Sequence, residues 1–185
     1  LMMSSVGVAQ QQLTGVVTYG GNEQLPMSGV TVGLYDLQDS LILSTYTNDN
    51  GIYFFDSIPS GQYNIKSTHT AEVTNVHIDD AYLLLMHLLG QYEFNDIQTQ
   101  LADVNNSGSI TWNDYLIVLV NYLLYGESFP AGDWKSDVQF VDFASRTGAQ
   151  QDTVDVWISE SANVQDGGMG GRSSTSLLSD YQELD

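Results

Sequence analysis

The chain has 185 residues, 42% of them apolar, enough for one large domain or two small ones with cores of their own. Four basic residues face 23 acids, and the resulting charge of −19 repels phosphate backbones, which excludes nucleic acid and anionic membranes as partners. There is no cysteine, so neither disulfides nor thiol catalysis is open to it.

The chain opens LMMSSVGVAQ, in which Gly7-Val8-Ala9 suits the small-x-small rule of signal peptidase. Residues 1–10 read as a signal-peptide remnant, which implies a secreted protein or one at the cell surface. No run of 18 apolar residues follows, so no membrane span is expected.

From residue 13 to 68, five segments carry β-branched or aromatic residues in partial alternation: LTGVVTYG, VTVGLYDL, LILSTYTN, GIYFFDSI and GQYNIKST. Their separators, GGNEQLPMSG, DNG and PSG, are turn-forming. In the second segment Val30, Val32 and Leu34 share one face. In the fourth, Tyr53 and Phe55 share one face after a tight turn at Asn50-Gly51. Short strands at this spacing predict a small antiparallel β-sandwich.

Thr47, Gly51, Tyr53, Phe55, Pro59, Gly61 and Tyr63 form a "T…G-x-Y-x-F…P-x-G-x-Y" pattern. In this the segment resembles the carboxypeptidase-regulatory-like and Cna-B-like sandwiches of secreted bacterial proteins. The resemblance implies an Ig-like or prealbumin-like spacer or ligand-presenting module without an active site. Some Cna-B relatives carry a Lys–Asn crosslink from the first strand; here Lys66 stands in the last strand, so no crosslink is expected.

Beyond Val76 the period changes. VHIDDAYLLLMHLL and ITWNDYLIVLVNYLL are apolar segments of helical length. Aligning Asp80 with Asp114, an offset of 114 − 80 = 34, superposes Val76 on Ile110, Leu83 on Ile117, Leu85 on Leu119 and Leu89 on Leu123. This is an internal duplication, joined by QYEFNDIQTQL. Residues 69–134 thus form a helical pair. In 135–165, VQFVDFA and DTVDVWIS supply extra strands, and the Gly/Ser-rich residues 166–185 read as a linker or tail.

Before the second helix stands DVNNSGSITWND. Calcium takes six to eight oxygens, which an EF-hand-type loop supplies from positions 1, 3, 5, 7, 9 and 12, with glycine at 6 for the sharp bend. Counted from Asp103, those positions are Asp103, Asn105, Ser107, the carbonyl of Ser109, Thr111 (through water) and Asp114, with Gly108 at the bend. Only Asp103 and Asp114 are charged, which predicts a modest affinity suited to extracellular calcium; magnesium, with its stricter octahedron, fits worse.

A calcium loop closing on aspartate, followed by one apolar helix and duplicated, is similar to a dockerin. Phe129-Pro-Ala-Gly-Asp-Trp134 reproduces the segment that often follows such pairs. The resemblance spans residues 13–134 with the sandwich included. It implies calcium-dependent docking, in dockerins to cohesins of polysaccharide-degrading assemblies. The chain departs from that pattern in its first repeat, where His69, Ala71 and Val73 hold positions 1, 3 and 5 and are poor ligands. Asp79 and Asp80 there cap the helix or share an ion with carbonyls. At loop positions 10 and 11, where dockerins carry small partner-contacting residues, Trp112 and Asn113 stand instead. The partner is therefore either a protein other than a conventional cohesin, a neighbouring domain, or a further copy of the chain.

His69, His77 and His87 lack compact zinc spacing, and no nucleophile-elbow, phosphate-loop or metalloprotease motif occurs. The expectation is a non-enzymatic β plus α protein, a sandwich followed by a calcium-binding helical pair. The alternative is a carbohydrate-binding module that uses some of the 11 tyrosines and three tryptophans, with Trp157 the first to test.

Overall fold

The computed structural model describes residues 11–20, 25–144 and 148–165; the expectations for 1–10 and 166–185 lie outside the described residues. Nine strands and three α-helices are formed among them. They divide into two compact units. Within the described residues, the first comprises 11–19, 25–70, 136–144 and 148–158, and the second is built from Gly20, 71–135 and 159–165.

The first unit is the sandwich. Strands β1 (Gln11–Tyr19), β2 (Thr31–Tyr35), β3 (Leu41–Tyr46), β4 (Ile52–Ile58) and β5 (Gln62–Thr68) form where the alternation predicts them. Four more follow in the chain: β6 (Trp134–Ser136), β7 (Gln139–Asp142), β8 (Gln151–Thr153) and β9 (Val156–Glu160), of which Trp134, Lys135, Ser159 and Glu160 are counted with the second unit. One sheet has the order β4-β1-β9-β6 with β8 also pairing with β1, and the other has the order β3-β2-β5-β7. Leu13, Val17, Val32, Leu34, Tyr53, Phe55, Tyr63, Ile65, Val141 and Ile158 are buried, so one face of each sheet supplies the core.

The motif residues now have physical roles. Thr47 Oγ accepts from the Val30 amide at 2.9 Å and donates to the Met27 carbonyl at 2.7 Å, tying the turn before β2 to the residue that follows β3. Gly51 has φ +71°, and a side chain there would meet the Val17 carbonyl at 2.8 Å. Tyr63 lies over Gly61 and its hydroxyl donates to the Pro59 carbonyl at 3.0 Å, which fixes the turn between β4 and β5. Tyr53 and Phe55 meet edge to face, with centroids 5.9 Å apart. Lys66 pairs on the surface with Asp39.

Two expectations need correction. The sandwich is mixed, because β1 runs parallel to β8 and β9 while β4 pairs with it antiparallel. And DTVDVWIS is two strands instead of one. Between them the Val154 carbonyl turns toward Gly15, where an added Cβ would lie 1.8 Å from it, and accepts from Tyr53 Oη at 2.5 Å. The Val16 amide meanwhile bonds the Asp155 carboxylate at 2.9 Å, so side chains replace ladder bonds and the pairing breaks.

The second unit holds α1 (Ile78–Leu88), α2 (Asp96–Ala102) and α3 (Trp112–Leu116), the last continuing as a π-helical stretch, Ile117–Tyr122. The expected two-helix unit therefore contains a third helix, in the connector. There Asn95 accepts from the Gln98 amide at 2.8 Å and Gln98 Oε1 accepts from the Asn95 amide at 3.0 Å, a reciprocal cap that starts α2. The wider winding of the second repeat has a counterpart in the sequence. Each repeat ends at a positive-φ glycine, Gly90 and Gly126, whose offset of 126 − 90 = 36 exceeds the 34 of the duplication by two. The amides of Leu123 and Tyr125 reach back five residues to Val118 and Val120, absorbing the excess.

Val76, Ala81, Val104, Ile117, Val118, Phe129 and Ala162 form this unit's core. Phe129 stacks on Tyr122 at 4.5 Å, and Trp134 Nε1 donates to the Ala71 carbonyl at 2.9 Å, so the FPAGDW segment closes the unit. Residues 159–165 also belong to it. The Ala162 amide bonds the Leu101 carbonyl, and Glu160 accepts from the amides of Thr74 and Asn75 at 3.1 and 2.9 Å.

Candidate metal centre

The loop from Asp103 to Asp114 sits between α2 and α3. Asp103 is the C-cap of α2 and is almost fully buried. Its two carboxylate oxygens accept from the Ser107 amide at 2.9 Å and the Gly108 amide at 2.8 Å. Asn105 Oδ1 also accepts from the Ser107 amide, and Ser107 Oγ donates to the Ser109 carbonyl at 3.0 Å. Asn106 and Gly108 have φ of +57° and +86°, which folds the chain around these oxygens. Asp103, Asn105, Ser107 and Ser109 are thereby gathered into one hydrogen-bonded group.

Thr111 and Asp114 form a second. Asp114 Oδ2 accepts from the Thr111 amide and from Thr111 Oγ, both at 2.9 Å, in a cap that starts α3. The other oxygen, Oδ1, is buried and has no hydrogen-bond partner, although Asp114 is 0% exposed. A buried carboxylate oxygen without a partner carries the full cost of its lost hydration.

A third contributor was not foreseen in the sequence. The ammonium of Lys135 donates to the carbonyl of Gln100 at 2.9 Å and to that of Asp103. Burial pushes its pKa down, while the charges of Asp103 and Asp114 pull it up, which places both carboxylates within its field. The signal available was scarcity: Lys135 is one of four basic residues in the chain.

These donors suit a hard divalent cation. A carboxylate oxygen that accepts one N–H keeps a lone pair for a metal, and Asp114 Oδ1 has both. Among the described residues no three of His, Cys, Asp and Glu gather as a metal cluster. A calcium loop does not need that, since its remaining ligands are amide, hydroxyl and carbonyl oxygens.

The first repeat has a different chemistry. Asp80, also 0% exposed, accepts from the His77 amide through Oδ2 at 2.8 Å. Its Oδ1 accepts from the amides of Val164 and Gln165 at 2.9 and 3.0 Å. Burial pushes its pKa up to about 6 against the opposing pull of those amides. Asp80 caps its helix, and the later segment of the chain supplies two donors to its second oxygen. Trp157, the first residue to test for sugar binding, is half-buried in β9.

The exposed surface of the unit is duplicated as well. Ile78 and Tyr82 on α1 are 60% and 45% exposed, and their counterparts at an offset of 34, Trp112 and Leu116, are 53% and 50% exposed. Each pair is four residues apart and so shares a helix face.

Residues 11–77 match the family described as BOS complex subunit NOMO1-like, second beta sandwich domain. The match covers β1–β5 and ends before α1. No curated protein matches the chain. Solved structures with a partial likeness include the Bacillus anthracis TIE protein (10% identity, TM-score 0.37, 80% of this chain and 17% of that one). BcpA, the major pilin subunit of Bacillus cereus, aligns at 11% identity and TM-score 0.37 over 80% of this chain and 30% of its own. A candidate carbohydrate-binding protein from Pseudomonas aeruginosa aligns at 14% and 0.36 over 81% and 89%. The chain spans less than a third of the Bacillus proteins, and superpositions this loose carry no functional weight. A β-sandwich module is what the strands and the matched family establish together, and no helix among the described residues is long and apolar enough to cross a membrane.

Proposed function

We propose that the chain is an exported, non-catalytic assembly module whose helical unit is fixed by calcium. The ion is held by Asp103, Asn105, Ser107, the Ser109 carbonyl, Thr111 through water, and Asp114. The observation that carries this reading is Asp114 Oδ1, a buried carboxylate oxygen left without a donor at the end of a twelve-residue segment whose first carboxylate, Asp103, is folded back onto the amides of Ser107 and Gly108. Calcium's role is structural: it joins the end of α2 to the start of α3 in a protein that has no disulfide to do so.

The docking face in this reading is the duplicated pair Ile78/Tyr82 and Trp112/Leu116, four apolar side chains facing outward on adjacent repeats. The partner is a protein with a matching apolar patch. Trp112 at the loop's tenth position, where dockerins carry a small residue, distinguishes this face from one built for a conventional cohesin.

The test is titration calorimetry and thermal unfolding of the full chain after exhaustive EGTA treatment. One calcium per chain, with a Kd on the order of 10⁻⁴–10⁻³ M and a melting temperature that climbs with calcium, is the expected result. Absence of heat together with superimposable melts overturns the reading. Loss of the calcium response in Asp114→Ala assigns it to this loop.

A further inference from the structure

The loop has an internal cation of its own. Lys135 is held by the carbonyls of Gln100 and Asp103, so its ammonium closes the C-terminal end of α2 at the first residue of the loop. It is half-buried, where charges are weakly screened, and it stands among 23 acids with three other basic residues in the whole chain. We propose that Lys135 is a tethered counter-charge that sets the divalent-cation affinity of the Asp103–Asp114 loop by opposing the incoming ion; this rests on the calcium reading above.

Without an ion, Asp103 and Asp114 together with Lys135 carry one net negative charge, instead of two unrelieved ones. An arriving divalent ion meets an ammonium that is bonded to the loop's own backbone and cannot swing away without giving up both carbonyls. The site with Lys135 ends one charge positive, and the site without it ends neutral. Relieving that repulsion is expected to tighten binding about tenfold, the equivalent of about 1.4 kcal/mol. Lys135 therefore does two things at once. It allows the loop to persist when calcium is scarce, and it holds calcium binding weak and reversible.

The experiment is calcium titration of the full chain carrying Lys135→Met, Lys135→Gln or Lys135→Arg, each first melted in EGTA. Lys135→Met is expected to bind calcium roughly tenfold more tightly than the unaltered chain while melting lower without calcium. Lys135→Gln, which keeps a donor for one carbonyl and drops the charge, should tighten binding similarly and lose less metal-free stability. Lys135→Arg should bind like the unaltered chain. A merely structural role would weaken calcium binding in the Met and Gln variants. Equal or weaker binding in Lys135→Gln, with calcium still taken up by the unaltered chain, overturns this inference alone. No uptake by any of the four proteins overturns the calcium reading and this inference with it.

Discussion

Asp80 and Asp114 are the same residue written twice. Both are fully buried, both cap the amide three residues back, and they stand 34 residues apart in a duplicated sequence. They differ in the second oxygen. That of Asp80 is bonded by two amides of the 164–165 backbone, whereas that of Asp114 has no partner. Two solutions to one electrostatic problem are thus laid side by side: a buried carboxylate is neutralised either by amides from the chain's own later segment or, on the reading proposed above, by a cation. The comparison teaches that the first repeat, poor in ligands, meets the need of its buried carboxylate with backbone donors.

The largest effect that could break this comparison is at Asp80 itself. Asp80→Ala leaves the amides of His77, Val164 and Gln165 without an acceptor, and should cost about 3–5 kcal/mol in denaturant melts, the same with EGTA as with calcium. Asp114→Asn should behave oppositely. In EGTA it removes a buried carboxylate whose Oδ1 has no hydrogen-bond partner, and is expected to be neutral or slightly stabilising. In calcium at about a hundred times the Kd it should forgo roughly 2.7 kcal/mol of ligand-linked stability. Equal calcium dependence for the two variants would erase the distinction.

Next in size is a pH effect. Asp80 titrates near the ordinary 3.8 when unfolded and at about 6 when folded, with burial the chief cause. The folded state therefore binds the proton more tightly. This group's contribution to stability is full below about pH 4 and is lost as pH rises through about 6, a change of up to about 3 kcal/mol. Asp80→Asn, compared with the unaltered chain in melts from pH 4 to pH 7, should flatten that fall.

The smallest effect is a matched control. Gly90 and Gly126 end their repeats at φ of +70° and +69°, in open space. Changing either to alanine should cost about 1–2 kcal/mol, alike in the two repeats and independent of calcium. Unequal costs would show that the π-helical stretch before Gly126 stores strain that α1 does not.

What the sequence disclosed follows from how local each cause is. Strands β1–β5 depend on alternation and on turn residues a few positions away, and they were readable together with Thr47, Gly51 and Tyr63. The turn around Asp103 and the cap at Asp114 are equally local, since each rests on hydrogen bonds between residues two to five positions apart. Helix α2 has a local signal too: Asn95 and Gln98, three apart, are the two halves of a cap. The break between β8 and β9 had no local signal, since it turns on Gly15 and Tyr53 from distant strands. The partners of Asp80 were out of reach for the same reason, lying 84 and 85 residues away. Lys135 is separated from Asp103 by 32 residues, and only the paucity of basic residues singled it out.

The parallel pairing of β1 with β8 and β9 has a mechanical consequence. Gln12–Thr14 and Val17–Tyr19 lie beside Gln151–Thr153 and Val156–Ile158 in the same direction. Tension that draws the start of β1 and the end of β9 apart slides neighbouring strands past one another, so their hydrogen bonds resist together rather than unzipping one by one. Joined in this manner, the first and last strands among the described residues withstand stretching better than strands that peel from an edge.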